Sequence, residues 1–316
     1  MDDRSLVTAL RAAIEPSRVS SGADLSSYTT LRVGGPAAAL VRAETLPDLV
    51  AVARVGQALE RPWLVIGKGS NLLIADDGWP GIAVVLGRGF RGVDIDGARV
   101  LAGAAEPMPA LSQRVARHGL GGLAFGVAIP GTVGGAVRMN AGAHGGEIRD
   151  VLESADVARM AADGAVERWD NDRLDFSYRH SALPPDAIVV RAQLRLEAVD
   201  ADRIAADMAE MRRWRRAHQP INEPSCGSVF RNPPGDSAGR LIEAAGLKGL
   251  RVGGAQVSER HANFITVRPG ARAGDVHEII RTAQRRVREA FGVALRTEVV
   301  LAGFDHQDVA PSEVTM

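Results

Sequence analysis

The spacing of apolar residues along the chain predicts six helices. Within each of these segments, apolar positions return every three or four residues, which places them on one helical face. Pro47 stands where the second of these helices begins, a position that suits its fixed φ. The predicted helices cover residues 3–14, 47–59, 110–118, 201–214, 240–245 and 275–291.

Short apolar runs between turn residues predict strands. Asp96-Gly97 and Asp163-Gly164 are typical of tight turns, so each predicts a hairpin. The runs cover residues 37–43, 62–66, 82–86, 93–102, 157–161, 165–169, 188–196, 263–267 and 295–301. Helices and strands mixed in this order favour an α+β fold, with a βαβ-like unit near the start.

The chain has 316 residues, a length that favours about two domains. We expect the first at residues 20–199 and a smaller second domain at residues 200–303. Residues 304–316 are polar without periodicity, which predicts a frayed tail.

Composition excludes several functions. Lys+Arg and Asp+Glu both number 38, so the formal net charge is zero, which argues against binding of nucleic acid. The single cysteine, Cys226, excludes an internal disulfide and a cysteine-based zinc site. No signal peptide and no membrane-spanning run is recognisable, so a cytoplasmic location is expected.

Residues 223–233 concentrate polar chemistry in one short segment. They contain two serines, a cysteine, an arginine and an asparagine around Gly227, with Pro224 before them and Pro233-Pro234 after them. Prolines on both sides predict a rigid loop or short strand. Taken alone, the segment is more typical of a polar turn in which Ser228 is a cap than of a catalytic loop.

Two glycine clusters could bring bare backbone close to a ligand. The first follows a predicted strand and reads Gly67-Lys68-Gly69-Ser70-Asn71. It fits neither a P-loop nor a Rossmann fingerprint, so phosphate binding and an ordinary turn both stay open. The second, residues 129–137, contains Gly131, Thr132, Gly134 and Gly135. The alternative there is close packing between strands, and two clusters together favour a dinucleotide cofactor.

Two charged residues are candidates for a site. Arg179, within Tyr178-Arg179-His180-Ser181, could bind a carboxylate or phosphate, although a surface arginine in a turn is the commoner explanation. Glu298 is a lone carboxylate in the predicted final strand, so it is either an edge residue or a functional acid. His144 and His261 have no partner at metal-ligand spacing, so no metal site is predicted.

Taken in order, these segments closely resemble the UDP-N-acetylenolpyruvoylglucosamine reductase family. The resemblance runs from about Thr29 to Leu301, nearly the whole chain. The matching segments are residues 30–36, 67–72, 129–135, 140–142, 178–181, 227–233, 238–243, 246–249 and 298–299.

The resemblance implies an FAD-binding domain of the vanillyl-alcohol-oxidase (PCMH) type, followed by a smaller α+β substrate-binding domain. Residues 67–71 would hold the pyrophosphate of tightly bound FAD, and Gly131, Thr132, Gly134 and Gly135 would line the flavin. The implied partners are a UDP-sugar substrate and NADPH as hydride donor, and no protein partner is named. No tyrosine follows Asp200, so the chain resembles the form of the family without a tyrosine-bearing loop.

The resemblance also implies a mechanism with two hydride transfers. Ser228 would protonate the carbanion left when the flavin reduces the enolpyruvyl double bond, and Arg179 and Glu298 would stabilise its enolic form. Glu298 is the rival proton donor, and Asn232 would contact the substrate. Some relatives have a lysine shortly before the Gly-Ser motif. Here Arg216 or His218 would replace it.

Two other functions stay open on sequence alone. The first is a different FAD-dependent oxidase or dehydrogenase with the same cofactor fold. The second is a nucleotide-binding regulatory module without enzymatic activity.

Overall fold

The computed structural model describes residues 2–162 and 164–304. They form two compact units, each made of three chain segments. Unit 1 comprises residues 2–21, Ala38–Gly67 and Gly81–Trp214, and unit 2 comprises Gly22–Ala37, Lys68–Pro80 and residues 215–304. The expected contiguous domains, 20–199 and 200–303, stay a prediction, because compactness does not show where a segment folds independently. The tail predicted at residues 304–316 lies outside the described residues, except for Phe304.

The described residues form seven α-helices, and all six helices predicted from the sequence are among them. The seventh, which begins after Thr132, was not predicted. The helices are α1 (Asp3–Ala13), α2 (Leu46–Ala58), α3 (Met108–Arg117), α4 (Val133–Arg138), α5 (Ala201–His218), α6 (Ala238–Ala244) and α7 (Ala273–Phe291).

The strands are short, and many have only two to four residues. In chain order they are β1 (Val19–Asp24), β2 (Pro36–Ala43), β3 (Trp63–Ile66), β4 (Leu72–Ile74), β5 (Trp79–Leu86), β6 (Val93–Asp96), β7 (Arg99–Gly103), β8 (Leu120–Gly121), β9 (Gly142–Ala143), β10 (Gly146–Glu147), β11 (Leu152–Arg159), β12 (Ala165–Asp170), β13 (Ala187–Arg195), β14 (Glu197–Ala198), β15 (Arg251–Val252), β16 (Ala255–Val257), β17 (Ile265–Val267) and β18 (Val300–Ala302). The predicted hairpin at Asp96-Gly97 is confirmed by antiparallel β6 and β7. Strands β11 and β12 also pair antiparallel, but Asp163, in their predicted turn, lies outside the described residues.

The predicted final strand at residues 295–301 is largely wrong. Only β18 is a strand, while Thr297 forms an isolated bridge to Phe230 and Glu298 lies in a bend. Apolar and β-branched residues favour extended backbone, but a strand also needs a continuous partner. Here the partner changes from Phe230 to β4, which pairs parallel with β18.

The described part of unit 1 contains two larger sheets, each with its own core, and two small sheets of two strands each, β9-β10 and β8-β14. The antiparallel sheet β12-β11-β13-β7-β6 packs its apolar face on α3 and α4. The sheet β1-β2-β5-β3 packs on α1 and α2, where Leu6, Leu10 and Leu49 are fully buried. Each such side chain contributes roughly 1.5–3 kcal/mol by leaving water.

The core of unit 2 forms around α7. Its apolar positions Val276, Ile280 and Val287 return at helical spacing and pack on α6 and the sheet β15-β16-β17. Asp76 connects the segment 68–80 to this core, because its carboxylate accepts hydrogen bonds from the N–H groups of Ala273 (2.8 Å) and Gly274 (2.9 Å) at the start of α7. A carboxylate there satisfies two N–H groups that have no partner within the helix.

Candidate active site

The polar loop at residues 224–233 is held at both ends by backbone pairing in unit 2. Ser225 forms an isolated bridge with Thr266, and Phe230 forms one with Thr297. Between them, the N–H of Val229 donates to the carbonyl of Asn263 at 2.8 Å. The loop predicted between the prolines is therefore confirmed, and Ser228 lies in its middle, partly exposed.

Asn263 supports this loop, although it was not predicted from the sequence. Its Oδ1 accepts the N–H of Phe230 at 2.9 Å, and its Nδ2 donates to the carbonyl of Phe230 at 2.8 Å. The side chain is 4% exposed, so these bonds form away from water, where an unpaired amide would be costly. An asparagine inside the apolar run 262–267 was a signal that could have identified it.

Glu298 lies beside the residue that follows Ser228. The N–H of Glu298 donates to the carbonyl of Val229 at 2.7 Å, and its own carbonyl accepts from Nδ2 of Asn71 at 2.9 Å. Unit 2 therefore brings together three segments that the sequence separates by up to 227 residues. Two of them contain predicted catalytic residues, and the third belongs to the first glycine cluster.

Gly69 is the conformationally critical residue of the first glycine cluster. Its φ is +58°, and a Cβ at this position would overlap the carbonyl oxygen of Tyr28 and lie 2.7 Å from Cα of Thr29. Its carbonyl accepts the N–H of Thr30 at 3.2 Å, and the Thr30 hydroxyl donates to the carbonyl of Ser225 at 2.6 Å. Thr30 thus links the glycine turn to the loop that contains Ser228.

The backbone N–H groups of residues 67–71 are available to a phosphate ligand. None of the five donates a hydrogen bond to another described residue. Lys68 is exposed, and Ser70 and Asn71 are partly exposed. Consecutive N–H groups around a residue with positive φ form an anion-binding concavity. This segment therefore suits an anionic ligand, and its predicted contact with the pyrophosphate of FAD stays a prediction.

The second glycine cluster, in unit 1, combines close packing with exposed backbone. Thr132 caps α4, and its Oγ1 lies 2.8 Å from the place a Cβ would occupy at Gly67, which also belongs to unit 1. Gly134 is packed, because an added Cβ would lie 3.0 Å from that of Ala104. Gly135 is exposed, and an added Cβ would meet nothing closer than 3.5 Å, so packing does not explain its presence. Gly135 therefore leaves bare backbone where a flat ligand could lie.

Arg179 occupies the tip of a tight turn in unit 1. Ser177 and His180 exchange backbone hydrogen bonds of 3.2 and 3.1 Å, and Arg179 has a φ of +56°. Its guanidinium donates to the carbonyl of Gly142 at 2.8 Å and lies 4.9 Å from the centre of the Tyr178 ring. A surface arginine in a turn, the commoner explanation, also fits this position, so a role for Arg179 toward a substrate stays a prediction.

Asn232 has a structural contact at one end of its amide. Its Oδ1 accepts the N–H of Ala238 at 3.0 Å, at the start of α6. The residue as a whole is exposed. The predicted contact between Asn232 and the substrate stays a prediction.

Cys226 is buried in the core of unit 2, at 2% exposure. Burial, with a smaller contribution from the charge of Glu298, raises the pKa of its thiol from 9.0 to about 12. A thiol in that state is a poor nucleophile at neutral pH. This supports the view that Cys226 is a neighbour of the site and not a catalytic group.

We expect a thiol reagent at pH 8 to leave the native protein unlabelled and to label one cysteine per chain after unfolding in urea. Because the pKa of the Cys226 thiol is higher in the folded chain than in the unfolded chain, the folded chain binds the thiol proton more tightly. The contribution of this thiol to the free energy of unfolding is therefore complete below pH 9 and is lost as the pH rises from 9 to about 12. Equal labelling rates for the native and unfolded chains at pH 8 would contradict this burial.

Metal-binding clusters and membrane-spanning helices are both absent from the described residues. No group of three or more His, Cys, Asp or Glu side chains there could hold a metal ion. His144 instead packs edge-on against Trp214, and His261 against Phe264. No described helix is both long and apolar enough to cross a membrane.

Comparison with known proteins identifies two regions of the chain. Residues 36–170 match the FAD binding domain family. Residues 219–302 match the family of C-terminal domains of UDP-N-acetylenolpyruvoylglucosamine reductase. The expected FAD-binding domain, the smaller domain after it and the FAD cofactor are thereby confirmed.

Whole-chain relatives give the same result. The UDP-N-acetylenolpyruvoylglucosamine reductase of Synechococcus sp. (strain WH7803) is 47% identical over 298 residues, which cover 90% of this chain and 93% of the relative. That of Bacillus velezensis is 40% identical over 284 residues, covering 88% and 92%. The crystal structure of the reductase from Thermus caldophilus superposes with a TM-score of 0.78 at 44% identity, covering 90% of this chain and 99% of the other. This chain belongs to the UDP-N-acetylenolpyruvoylglucosamine reductase family.

Proposed function

We propose that this protein is an FAD-dependent, NADPH-using reductase. Its substrate is the enolpyruvyl ether of UDP-N-acetylglucosamine, and its product is UDP-N-acetylmuramate, a precursor of peptidoglycan. The observation that carries the proposal is the pairing at Val229. The carbonyl next to Ser228 accepts the N–H of Glu298, so the proposed donor and its acidic neighbour lie on adjoining segments.

Bound FAD would supply the redox chemistry, the transfer of hydride from NADPH to the enolpyruvyl double bond. The N–H groups of residues 67–71 would bind its pyrophosphate, and Gly131, Thr132, Gly134 and Gly135 would line its ring system. The N–H groups of residues 67–71, which donate to no other described residue, and the exposed Gly135 support these assignments.

Ser228 provides the proton that completes the reduction. The carbon beside the substrate carboxylate becomes strongly basic, so a hydroxyl can protonate it if the hydroxyl is positioned nearby. The loop that contains Ser228 is held by Asn263 on one side and by Glu298 on the other, which limits its movement. Positioning of this kind substitutes for the low acidity of serine.

Arg179 and Glu298 stabilise the enolic intermediate. Negative charge develops on the substrate carboxylate, and a guanidinium fork matches that group in shape and charge. The strained turn at Arg179 supports a fixed orientation, since an arginine with φ +56° persists only where its surroundings hold it. Asn232 contacts the substrate through Nδ2, because its Oδ1 already accepts from Ala238.

The UDP-sugar and NADPH are both small soluble molecules, so the reaction belongs in the cytoplasm, where nucleotide precursors are made. Arg216 or His218 contacts the substrate where other family members have a lysine. Both belong to the last turn of α5, where a cationic side chain is also favoured by the helix dipole.

The half-reactions test this proposal. Purified protein is expected to be yellow, to release FAD on denaturation, and to lose its flavin absorbance when mixed with NADPH without oxygen. Addition of the enolpyruvyl sugar nucleotide should restore the absorbance and yield one UDP-N-acetylmuramate per flavin. Reoxidation by oxygen but not by that substrate would instead identify another FAD oxidase, and a colourless protein that binds no FAD would identify a non-enzymatic module.

A further inference from the structure

The turn that contains Arg179 is strained and needs external support. A left-handed φ disfavours every residue with a Cβ, and Arg179 adopts one, with a φ of +56°. The backbone bonds between Ser177 and His180 close the turn but do not attach it to the rest of unit 1. Residues that anchor both flanks of the turn therefore decide where its guanidinium lies.

One flank is anchored by Asn140, which is fully buried. Its Nδ2 donates to the carbonyl of Ser177 at 3.0 Å and to Oε2 of Glu147 at 3.0 Å. Its Oδ1 accepts the N–H of Arg149 at 3.0 Å. The residue before Tyr178 is thus attached to the segment that also provides the carbonyl of Gly142 to Arg179.

The other flank is anchored by Arg138, the last residue of α4. Its guanidinium donates to the carbonyls of Leu183 (3.4 Å), Pro184 (3.1 Å) and Ala187. Its own carbonyl accepts the hydroxyl of Ser181 at 2.6 Å. One residue therefore holds four points of the segment 181–187, which begins two residues after Arg179.

The chemistry at Arg138 is unusual for an arginine. Removal of the guanidinium from water lowers its pKa, and the charge of Asp186 only partly opposes that effect. Its three acceptors are neutral carbonyls, which stabilise a buried cation less than a carboxylate would. A planar fork can nevertheless reach several carbonyls at once, and a lysine ammonium is less suited to that arrangement.

We propose that Arg138 is a positioning residue for the reduction, acting through Arg179. It joins the loop after Arg179 to α4, the helix that has Thr132 as its N-cap and contains Gly135, both of which belong to the predicted flavin-lining cluster. The orientation of the Arg179 guanidinium is thereby fixed relative to the backbone that lines the cofactor. The inference rests on the role proposed above for Arg179.

The test compares Arg138→Met, Arg138→Lys and Arg179→Met with the double variant Arg138→Met/Arg179→Met, all as FAD-loaded protein. We expect Arg138→Met to slow flavin reoxidation by the sugar nucleotide about 10–100-fold, the scale of a misplacement of about 1 Å. Flavin reduction by NADPH should be unchanged. Arg138→Lys should regain part of the rate, since it can reach one carbonyl. The double variant should be no slower than Arg179→Met, because residues that act through one another are not additive.

Hydrogen exchange gives a readout that does not depend on catalysis. Amides of residues 177–187 should exchange faster in Arg138→Met than in the wild type, while those of β11 stay protected. Ser181→Ala removes only the bond to the carbonyl of Arg138, so it provides a milder variant if Arg138→Met does not fold. Ser181→Ala should speed hydrogen exchange of the same amides as Arg138→Met does, but by a smaller factor.

Each contrary outcome has a distinct meaning. Wild-type exchange in both Arg138→Met and Ser181→Ala would overturn this inference alone, as would fully additive rate losses in the double variant. Wild-type reoxidation in Arg179→Met would overturn the role of Arg179 in the proposed function, and this inference with it.

Discussion

Ser228→Ala is expected to leave the flavin reducible by NADPH but to slow its reoxidation by the enolpyruvyl sugar nucleotide by roughly 10²–10⁴-fold, the usual contribution of a positioned acid. The variant removes the proton and leaves the loop intact, because the loop is held through the backbone of Val229 and Phe230. Stopped-flow absorbance of the flavin, recorded without oxygen, measures both half-reactions on one sample.

Ser225→Ala is the matched control, since it removes a hydroxyl from the same loop. The backbone of Ser225 pairs with Thr266 and accepts from Thr30, and alanine keeps both contacts, so both half-reactions should run at the wild-type rate. Glu298→Gln tests the rival donor. If it blocks reoxidation completely while Ser228→Ala reoxidises at the wild-type rate, the proton comes from Glu298 and the assignment of Ser228 is wrong.

Gly69→Ala is expected to abolish FAD binding. The positive φ alone costs about 1–2 kcal/mol for any residue with a Cβ. The added carbon would also overlap the backbone oxygen of Tyr28, which cannot rotate away as a side chain could. The turn must then move, and its N–H groups lose their common direction. Loss of two hydrogen bonds to a charged group, at about 1.5–3 kcal/mol each, raises the Kd for FAD by at least roughly 100-fold.

Gly22→Ala is the control for this variant, because it places a Cβ at a similar positive φ without a steric clash. Gly22 has a φ of +59°, nearly that of Gly69, but nothing lies within 4 Å of a Cβ there. Flavin content and the Kd for FAD, from quenching of flavin fluorescence, should be normal in Gly22→Ala and lost in Gly69→Ala. Near-normal FAD binding by Gly69→Ala would show that this turn does not hold the pyrophosphate.

Local patterns along the chain predicted the helices well. In α7 the apolar positions recur over five turns, and Gly292, with a φ of +69°, ends the helix. Such signals depend only on neighbours in sequence, so they can be read without the fold. The helix α4 was missed because two of its six residues are glycines, which have low helix propensity. The N-cap at Thr132 and packing against β13 stabilise it.

Glu298 shows where local pattern was insufficient. Its surroundings, from Leu295 to Leu301, have the composition of a strand, yet the backbone bends at Glu298. The bend exists because Thr297 pairs with Phe230 whereas Val300 pairs with Leu72. That change of partner depends on contacts between distant segments, and composition does not encode it locally.

By itself the sequence predicted which segments form the site: the loop between Pro224 and Pro233, the two glycine clusters and Arg179. Their residue types and order also indicated the family. Only the tertiary structure decided that Val229 pairs with Glu298, that Asn263 and Thr30 support the loop, and that Arg138 anchors the turn of Arg179. The physical reason is that motifs are local, whereas a hydrogen bond between residues tens to hundreds of positions apart depends on how the whole chain packs.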